Sequence, residues 1–215
     1  GGMLIDGSGG ATIDNCLFNN NYNVHNGAHL KIGNGAISYI NNCSFINNSP
    51  ELAPIFNDNY SAARFTNCFI NANAAQEVFI SAGFPSLINC TVTNYRSRAY
   101  SCYAAGNAVI LGSVFSPLQG FQNAKIARLE NHPDAAINLF IDYSITPESA
   151  NDTTNENGAS ITYGSNNIFA DPLFIATPNG PAGLSDLSPA ISSSFITTEV
   201  NGITYDAPAK DIQGI

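Results

Sequence analysis

The sequence predicts a single right-handed parallel β-helix, an all-β, single-stranded solenoid made of stacked coils. The first observation is a repeat of roughly 20 to 30 residues, a length typical of one coil. The second is composition: short runs of β-branched, aromatic and Leu residues alternate with Asn, Gly and Pro. Because no long segment has helical periodicity, we expect strands and turns throughout, with at most one helical turn near residues 123–129.

The repeat consists of an apolar residue, a spacer, Asn-Cys, a second spacer and a second apolar residue. Successive cysteines in it are 27, 25 and 22 residues apart. If both apolar residues and the Cys point inward, successive coils stack them in columns about 4.8 Å apart. The four units are Ile13 to Phe18, Ile40 to Phe45, Phe65 to Ile70 and Leu87 to Val92.

The Asn before each Cys is expected to form a bend. The step from the first apolar residue to the Cys is three residues rather than two, so the chain must turn between them. Asn tolerates the left-handed backbone conformation, and its amide can bond to the Asn of the next coil. We therefore expect an internal Asn ladder.

Cys16, Cys43, Cys68 and Cys90 share one inward repeat position, where Cys behaves as a small buried hydrophobe. We expect a column of reduced thiols rather than disulfides. A structural metal site is not expected, because the chain has no Cys-x-x-Cys pair. Cys102 falls outside the column and is interpreted as an unpaired core or loop thiol.

Fainter coils follow at 109–114, where Gly112 takes the position of the Cys, at 139–145 and at 161–168. About seven coils fit the length. We expect β-helix coils over residues 1–175 and an irregular C-terminal cap, 176–215, packed on the end or flank of the solenoid. The opening Gly1-Gly2 resembles the middle of a repeat. We expect further coils before it or, alternatively, end-to-end self-association through the first coil.

Composition excludes several classes of function. With 16 acidic and 7 basic residues the net charge is −9, which argues against nucleic-acid partners and anionic membranes. No stretch is long and apolar enough for a transmembrane segment.

The C-terminal region contains three ordered motifs, Asp171-Pro172-Leu173-Phe174, Ser188-Pro189-Ala190-Ile191 and Asp211-Ile212-Gln213-Gly214. Together with the Asn-Cys repeats, this order resembles the bacterial secreted β-helix proteins of the choice-of-anchor type, which are related to polymorphic outer-membrane repeat proteins. The resemblance implies a secreted or cell-surface bacterial protein. The shared motifs are structural, so it transfers no catalytic residue to this chain.

Two kinds of candidate site appear in the sequence. Arg96 and Arg98 form the best basic cluster and are weak candidates for a polysaccharide lyase acting on an acidic polysaccharide, which needs a base and a cation for the uronate. Exposed aromatic and basic side chains could instead bind a glycan. The candidate ligand-binding residues are Tyr60, Arg64, Tyr95 and Tyr100.

Other patterns are less informative. The carboxylates Asp6, Asp14, Asp58, Asp134 and Asp142 are scattered over different coils, so a hydrolase pair is not expected. His25 and His29 lack a third metal ligand nearby in sequence. We expect no cofactor; calcium on the loop carboxylates of Asp58, Asp152 and Glu156 is conceivable but not indicated.

The outward positions Leu17, Ile46 and Phe69 predict an apolar patch on the outer surface, covered either by the C-terminal segment or by a partner. The neutral Asn/Ser/Thr surface favours a non-catalytic adhesion or glycan-binding role. The alternative is a polysaccharide lyase or another carbohydrate-active enzyme.

Overall fold

The structure is a computed structural model that describes most of the chain. The described residues are 2–23, 29–46, 49–50, 53–57, 61–81, 83, 85–103, 106–121, 124–130, 137–146, 155–156, 159–175, 183–191 and 194–209.

Three parallel seven-stranded sheets form the walls of a solenoid, and each coil contributes one strand to each sheet. The first sheet comprises Met3–Ile5, Leu30–Ile32, Ile55–Asn57, Glu77–Ser81, Arg98–Cys102, Lys125–Glu130 and Asn155–Glu156. The second comprises Thr12–Asp14, Ile37–Asn41, Ala62–Thr66, Ser86–Ile88, Gly106–Leu111, Ile137–Asp142 and Ser160–Tyr163. The third comprises Leu17–Asn19, Ser44–Ile46, Phe69–Asn71, Thr91–Tyr95, Val114–Pro117, Ile145–Thr146 and Ile168–Phe169.

Short pairs complete the described strands. Tyr22–Asn23 pairs with Ser49–Pro50 in parallel, and Phe174–Ile175 pairs with Gly183–Leu184 in antiparallel orientation. Near the C-terminus, Thr197–Val200 and Ile203–Asp206 form an antiparallel pair that we call the C-terminal hairpin. The expected helical turn near 123–129 is wrong over its described part, since Lys125–Glu130 is a strand. The described part of the chain contains no helix that could cross a membrane.

The predicted inward columns are confirmed. The first apolar residue of each repeat lies in register with its counterparts in the second sheet, and the second apolar residue does so in the third sheet. These side chains are buried throughout, and the rings of Phe18 and Phe45 stack with centroids 4.6 Å apart. In-register stacking therefore builds one continuous apolar core along the solenoid.

The bend between the second and third sheets is left-handed in six successive coils. Asn15, Asn42, Asn67 and Asn89 all have φ between 50° and 56°, and Gly112 and Tyr143 adopt the same conformation in the next two coils. Asn67 Nδ2 donates to Asn42 Oδ1 at 2.7 Å, which supports the predicted Asn ladder. A second rung of this kind joins Asn94 to Asn71 at the far end of the third sheet.

The thiol column follows the bend. None of the five cysteines forms a disulfide. Cys43, Cys68 and Cys90 are buried, whereas Cys16, in the first coil, is exposed. Each buried thiol donates to a main-chain carbonyl of the preceding coil, as Cys68 Sγ does to Ile40 at 3.4 Å. Ser113 continues the column, since its hydroxyl accepts the amide N–H of Cys90 at 3.1 Å.

The expectation that Gly112 replaces the Cys is wrong by one residue. Strand pairing of Ile88 with Leu111 and of Thr91 with Val114 aligns Gly112 with Asn89. The glycine therefore lies at the left-handed bend, where a positive φ costs it little because it has no Cβ.

The C-terminal hairpin covers the outer face of the second sheet. Outward-facing Ile88, Val109 and Leu111 are buried there in a separate apolar cluster with hairpin-region residues. Those residues are Phe195, Val200 and Tyr205. The division into 1–175 and 176–215 stays a prediction, but this contact lies on the flank of the solenoid.

The predicted outer patch on the third sheet has a different outcome. Leu17 is exposed, and Ile46 and Phe69 are only partly buried. The hairpin packs on the second sheet instead, where Ile88, Val109 and Leu111 form the apolar surface that it covers. Binding of a partner to the Leu17 surface stays a prediction.

We expect Asn67→Ala to lower the free energy of unfolding by about 1–2 kcal/mol more than Asn20→Ala. Both residues have φ of 56°, so both variants incur left-handed strain, but only Asn67→Ala removes a ladder bond and leaves Asn42 Oδ1 without its donor. Urea denaturation followed by circular dichroism measures the difference. Equal losses in the two variants would mean that the ladder does not stabilise the fold.

We expect acid to destabilise the fold through His29. Its ring is fully buried beside Phe45, and neither ring nitrogen has a hydrogen-bond partner among the described residues. Burial lowers the pKa of His29 from 6.5 to about 3, because the core disfavours the charged form. The stabilisation by neutral His29 is therefore complete above pH 6.5 and is lost as the pH falls from 6.5 towards 3.

Between pH 7 and pH 5 this loss amounts to about 2 kcal/mol of unfolding free energy. The control is His29→Leu, which keeps an apolar side chain in the core and removes the titrating group. Thermal melts of both proteins across this pH range provide the measurement. Identical pH slopes would exclude His29 as the acid-sensitive group.

Candidate functional site

The residues selected from the sequence lie on different walls of the solenoid. Arg64 belongs to the second sheet, Tyr95 to the third, and Arg98 and Tyr100 to the first. Three walls that face in different directions do not bring these side chains to one ligand. Tyr60 lies outside the described residues.

The expectation that Tyr95 and Tyr100 lie on an outer face is wrong. Both rings are completely buried in the core, and the Tyr100 hydroxyl donates to the carbonyl of Pro85 at 3.4 Å. Burial also raises the pKa of Tyr100 well above its ordinary value. Neither ring can stack on a sugar, because both are packed inside the core.

Arg96 and Arg98 point to separate partners. Arg98 Nη1 forms an ion pair with Glu77 Oε1 at 2.6 Å, between neighbouring strands of the first sheet. The Arg96 guanidinium lies 5.9 Å from the centroid of the Phe121 ring. Each arginine thus has its own structural contact, and the two guanidinium groups are directed to different partners.

Tyr103 lies near the ion pair of Arg98 and Glu77. Its pKa is raised, first by burial and then by the carboxylate of Glu77, although a hydrogen bond with Ser101 and the charges of Arg128 and Arg98 oppose this change. A tyrosinate base for β-elimination requires the opposite shift. The first sheet therefore offers an ion-pair cluster rather than an activated base.

Arg64 is held against the C-terminal hairpin. Its guanidinium lies 5.1 Å from the centroid of the Tyr205 ring, a cation–π contact. On the strand beside it, Tyr39 pairs with Arg64 and is about half exposed. Tyr39 is an exposed aromatic residue that the sequence analysis did not select.

The described residues contain no cluster of three metal-ligating side chains. His29 is in the core, which removes it from any loop site, and His25 lies outside the described residues. Asp142 accepts hydrogen bonds from the amides of Tyr143 and Asn166, both at 2.9 Å, and so has a structural role. The calcium hypothesis falls on Asp58, Asp152 and the side chain of Glu156, which are not described.

A cleft of about 500 Å³ lies between the second sheet and the C-terminal hairpin, and we call it the hairpin groove. Its volume is in the range of small-molecule binding sites, about 300–1,000 Å³. One wall consists of outward residues from the fifth, sixth and seventh coils, and the other is the end of the hairpin. The polar lining residues are Asn107, Asn138, Ser160, Thr162, Glu199 and Asn201.

The solenoid wall of the groove is a hydrogen-bonded row. Asn107, Asn138 and Ser160 lie in register on adjacent strands. Ser160 Oγ donates to Asn138 Oδ1 at 2.5 Å, and Asn138 Nδ2 donates to Asn107 Oδ1 at 3.1 Å. The row is exposed, so its remaining N–H groups and lone pairs face the groove and are available to a ligand.

An apolar surface lies beside the row. Phe140 and Thr162 are in-register neighbours two residues farther along the same strands, and the partly buried Phe140 lines the groove together with Val200 of the hairpin. Polar side chains beside an aromatic ring are the combination that binds sugars, since a pyranose has hydroxyl groups at its rim and C–H groups on its faces.

The groove exists because the hairpin is anchored beside it. At Gly112, an added Cβ would contact Asn89 Oδ1, lie 2.8 Å from Ser194 Oγ and lie 3.1 Å from Phe195 Cε1. The glycine thus lets the segment before the hairpin approach the bend closely. The Phe195 ring then packs on Tyr143, with centroids 5.5 Å apart.

Sequence reasoning missed this groove. The alternation of inward and outward positions within each strand could have indicated a polar row of Asn107, Asn138 and Ser160, once the strands were placed in register. The opposite wall comes from residues more than 35 positions later in the chain, and no pattern in the sequence connects the two.

Comparison with known proteins gives one family match. The family model described as "right handed beta helix region" matches residues 1–115, which is more than half of the chain. No curated protein and no solved structure shows a significant match.

We expect Gly112→Ala to loosen the hairpin from the solenoid. The new methyl group is strained at φ of 58° and displaces Ser194 and Phe195. Hydrogen–deuterium exchange of peptides covering 194–206 should become faster. The matched control is Gly35→Ala, which also has positive φ but no atom within 4 Å of the new Cβ. Unchanged exchange in Gly112→Ala would show that this contact does not anchor the hairpin.

Proposed function

Because the chain belongs to the right-handed β-helix family, we propose that it is a secreted or cell-surface protein that binds a glycan without transforming it. The observation that supports this proposal is the hairpin groove, where polar side chains of both walls lie near the partly exposed ring of Phe140. A surface role as an adhesin follows if the glycan belongs to another cell or to an extracellular matrix.

Hydrogen-bonding capacity in the groove matches the chemistry of a saccharide. Each sugar hydroxyl donates one hydrogen bond and accepts others, so it pairs with amides, hydroxyls and carboxylates. The groove offers all three groups, in the row of Asn107, Asn138 and Ser160 and in Glu199 on the hairpin. The row is already aligned by its own hydrogen bonds and by strand register, which reduces the entropy lost on binding.

The rival function is a polysaccharide lyase that uses Arg96 and Arg98. The ion pair of Arg98 with Glu77 and the contact of Arg96 with Phe121 give it little support. Incubation with a panel of uronic-acid polymers, read at the absorbance of the unsaturated product, tests this rival directly. Turnover that is lost in Arg98→Ala would replace glycan binding by lyase activity as the proposed function.

We expect Asn138→Ala to weaken glycan binding by about tenfold or more, since it removes the central amide of the row and leaves Ser160 and Asn107 without their partner. The glycan is first identified on an array of neutral and acidic oligosaccharides with purified protein. Isothermal titration calorimetry then compares the affinities of wild type and variant.

The control is Asn19→Ala, which removes an exposed amide from the third sheet, away from the groove. It should keep wild-type affinity. A protein that binds nothing on the array contradicts the proposed function. Binding that is insensitive to Asn138→Ala contradicts its assignment to the hairpin groove.

A further inference from the structure

The charge of the hairpin groove limits which glycans can bind. Among the described lining residues, Glu199 is the one with a charged side chain, and neither Lys nor Arg contributes to either wall. Arg64, on the same sheet, is directed to Tyr205 instead. The described part of the groove therefore presents a carboxylate and no cation, on a protein whose net charge is −9.

The direction of the hydrogen bonds on the opposite wall gives the groove a polarity. The Ser160 hydroxyl donates a hydrogen bond to Asn138, and the Asn138 amide donates one to Asn107. The Asn107 amide nitrogen ends this chain and has no acceptor among the described residues, so its hydrogens are available to a ligand. The row thus offers the N–H donors of Asn107, and Glu199 on the hairpin side of the groove offers acceptor oxygens.

An uncharged saccharide satisfies both walls at once. Its hydroxyl oxygens accept hydrogen bonds from the amide row, and its hydroxyl groups donate hydrogen bonds to the Glu199 carboxylate. The latter are charge-assisted and therefore stronger than hydrogen bonds between neutral groups. A uronate ring adds a carboxylate, which has no hydrogen to donate to Glu199. Its negative charge is repelled by Glu199 within the same groove, and no cation among the described lining residues compensates for this repulsion.

We propose that the hairpin groove selects uncharged glycans over acidic ones, and that Glu199 is the specificity-determining residue. This inference rests on the proposed glycan-binding function and deepens it by naming the ligand class. It also differs from the rival function in the predicted ligand, because the lyase would require an acidic polysaccharide. Glu199 is exposed on a hairpin strand and lines the groove on its hairpin side.

The test compares Glu199→Gln with Asp14→Asn. Both substitutions remove one negative charge and keep the shape of the side chain, but Asp14 is an exposed residue in the first coil of the same sheet and does not line the groove. The probes are uncharged hexasaccharides (cellohexaose, mannohexaose and chitohexaose) and hexagalacturonic acid. Affinities are measured by calorimetry with EDTA present, so that no divalent cation bridges carboxylates.

Wild type should bind at least one uncharged hexasaccharide at least tenfold more tightly than hexagalacturonic acid. Glu199→Gln should weaken the uncharged ligand by about tenfold and narrow its advantage over the acid, whereas Asp14→Asn should leave both values close to those of wild type. The rejection of the acid should also fade near 1 M salt, where the screening length is about 3 Å.

The outcomes separate the two levels of the proposal. If none of the probes and no glycan on the array binds, the glycan-binding function itself fails. Tighter binding of hexagalacturonic acid than of every uncharged probe keeps that function and overturns the selectivity. Equal effects of Glu199→Gln and Asp14→Asn also overturn the inference, since the selectivity would then come from net charge rather than from Glu199.

Discussion

The left-handed bend between the second and third sheets is the constraint on which the rest of the structure depends. It lets the chain turn within three residues while the apolar residue before it and the Cys or Ser after it both face the core. Because one residue per coil adopts this conformation from Asn15 to Tyr143, successive coils superimpose and their strands pair in register. Asn and Gly occupy the bend at the lowest conformational cost.

Tyr143 shows how strongly the surroundings impose this geometry. A bulky residue at φ of 53° is unfavourable by itself. Here the Asp142 carboxylate accepts the amide N–H of Tyr143, and the ring packs against Phe195. The contact with Phe195 thus stabilises the sixth bend, which directly follows the strand that carries Asn138.

In-register stacking has a consequence for the outer surface as well as for the core. Outward residues form rows along the solenoid, so a few substitutions on adjacent coils change the character of a whole strip. Ile88, Val109 and Leu111 make one strip apolar, and the hairpin packs there. Asn107, Asn138 and Ser160 make the neighbouring strip polar, and the end of the hairpin turns it into a groove. The same element therefore completes the fold and forms one wall of the candidate site.

The sequence by itself determined the repeat, the inward columns, the left-handed Asn bends and the all-β class. Each of these is a local pattern with a fixed spacing, which strand geometry and αL preference convert directly into structure. It did not determine that Tyr95 and Tyr100 are buried, that Arg98 pairs with Glu77, or that Gly112 belongs to the bend rather than to the thiol column. Those outcomes depend on which face each strand turns inward and on exact register, and both are set by packing between coils. Only the tertiary structure decided where the C-terminal hairpin lies, and with it the groove, because contacts between residues a hundred positions apart, such as Asn89 and Ser194, leave no periodic signal in the chain.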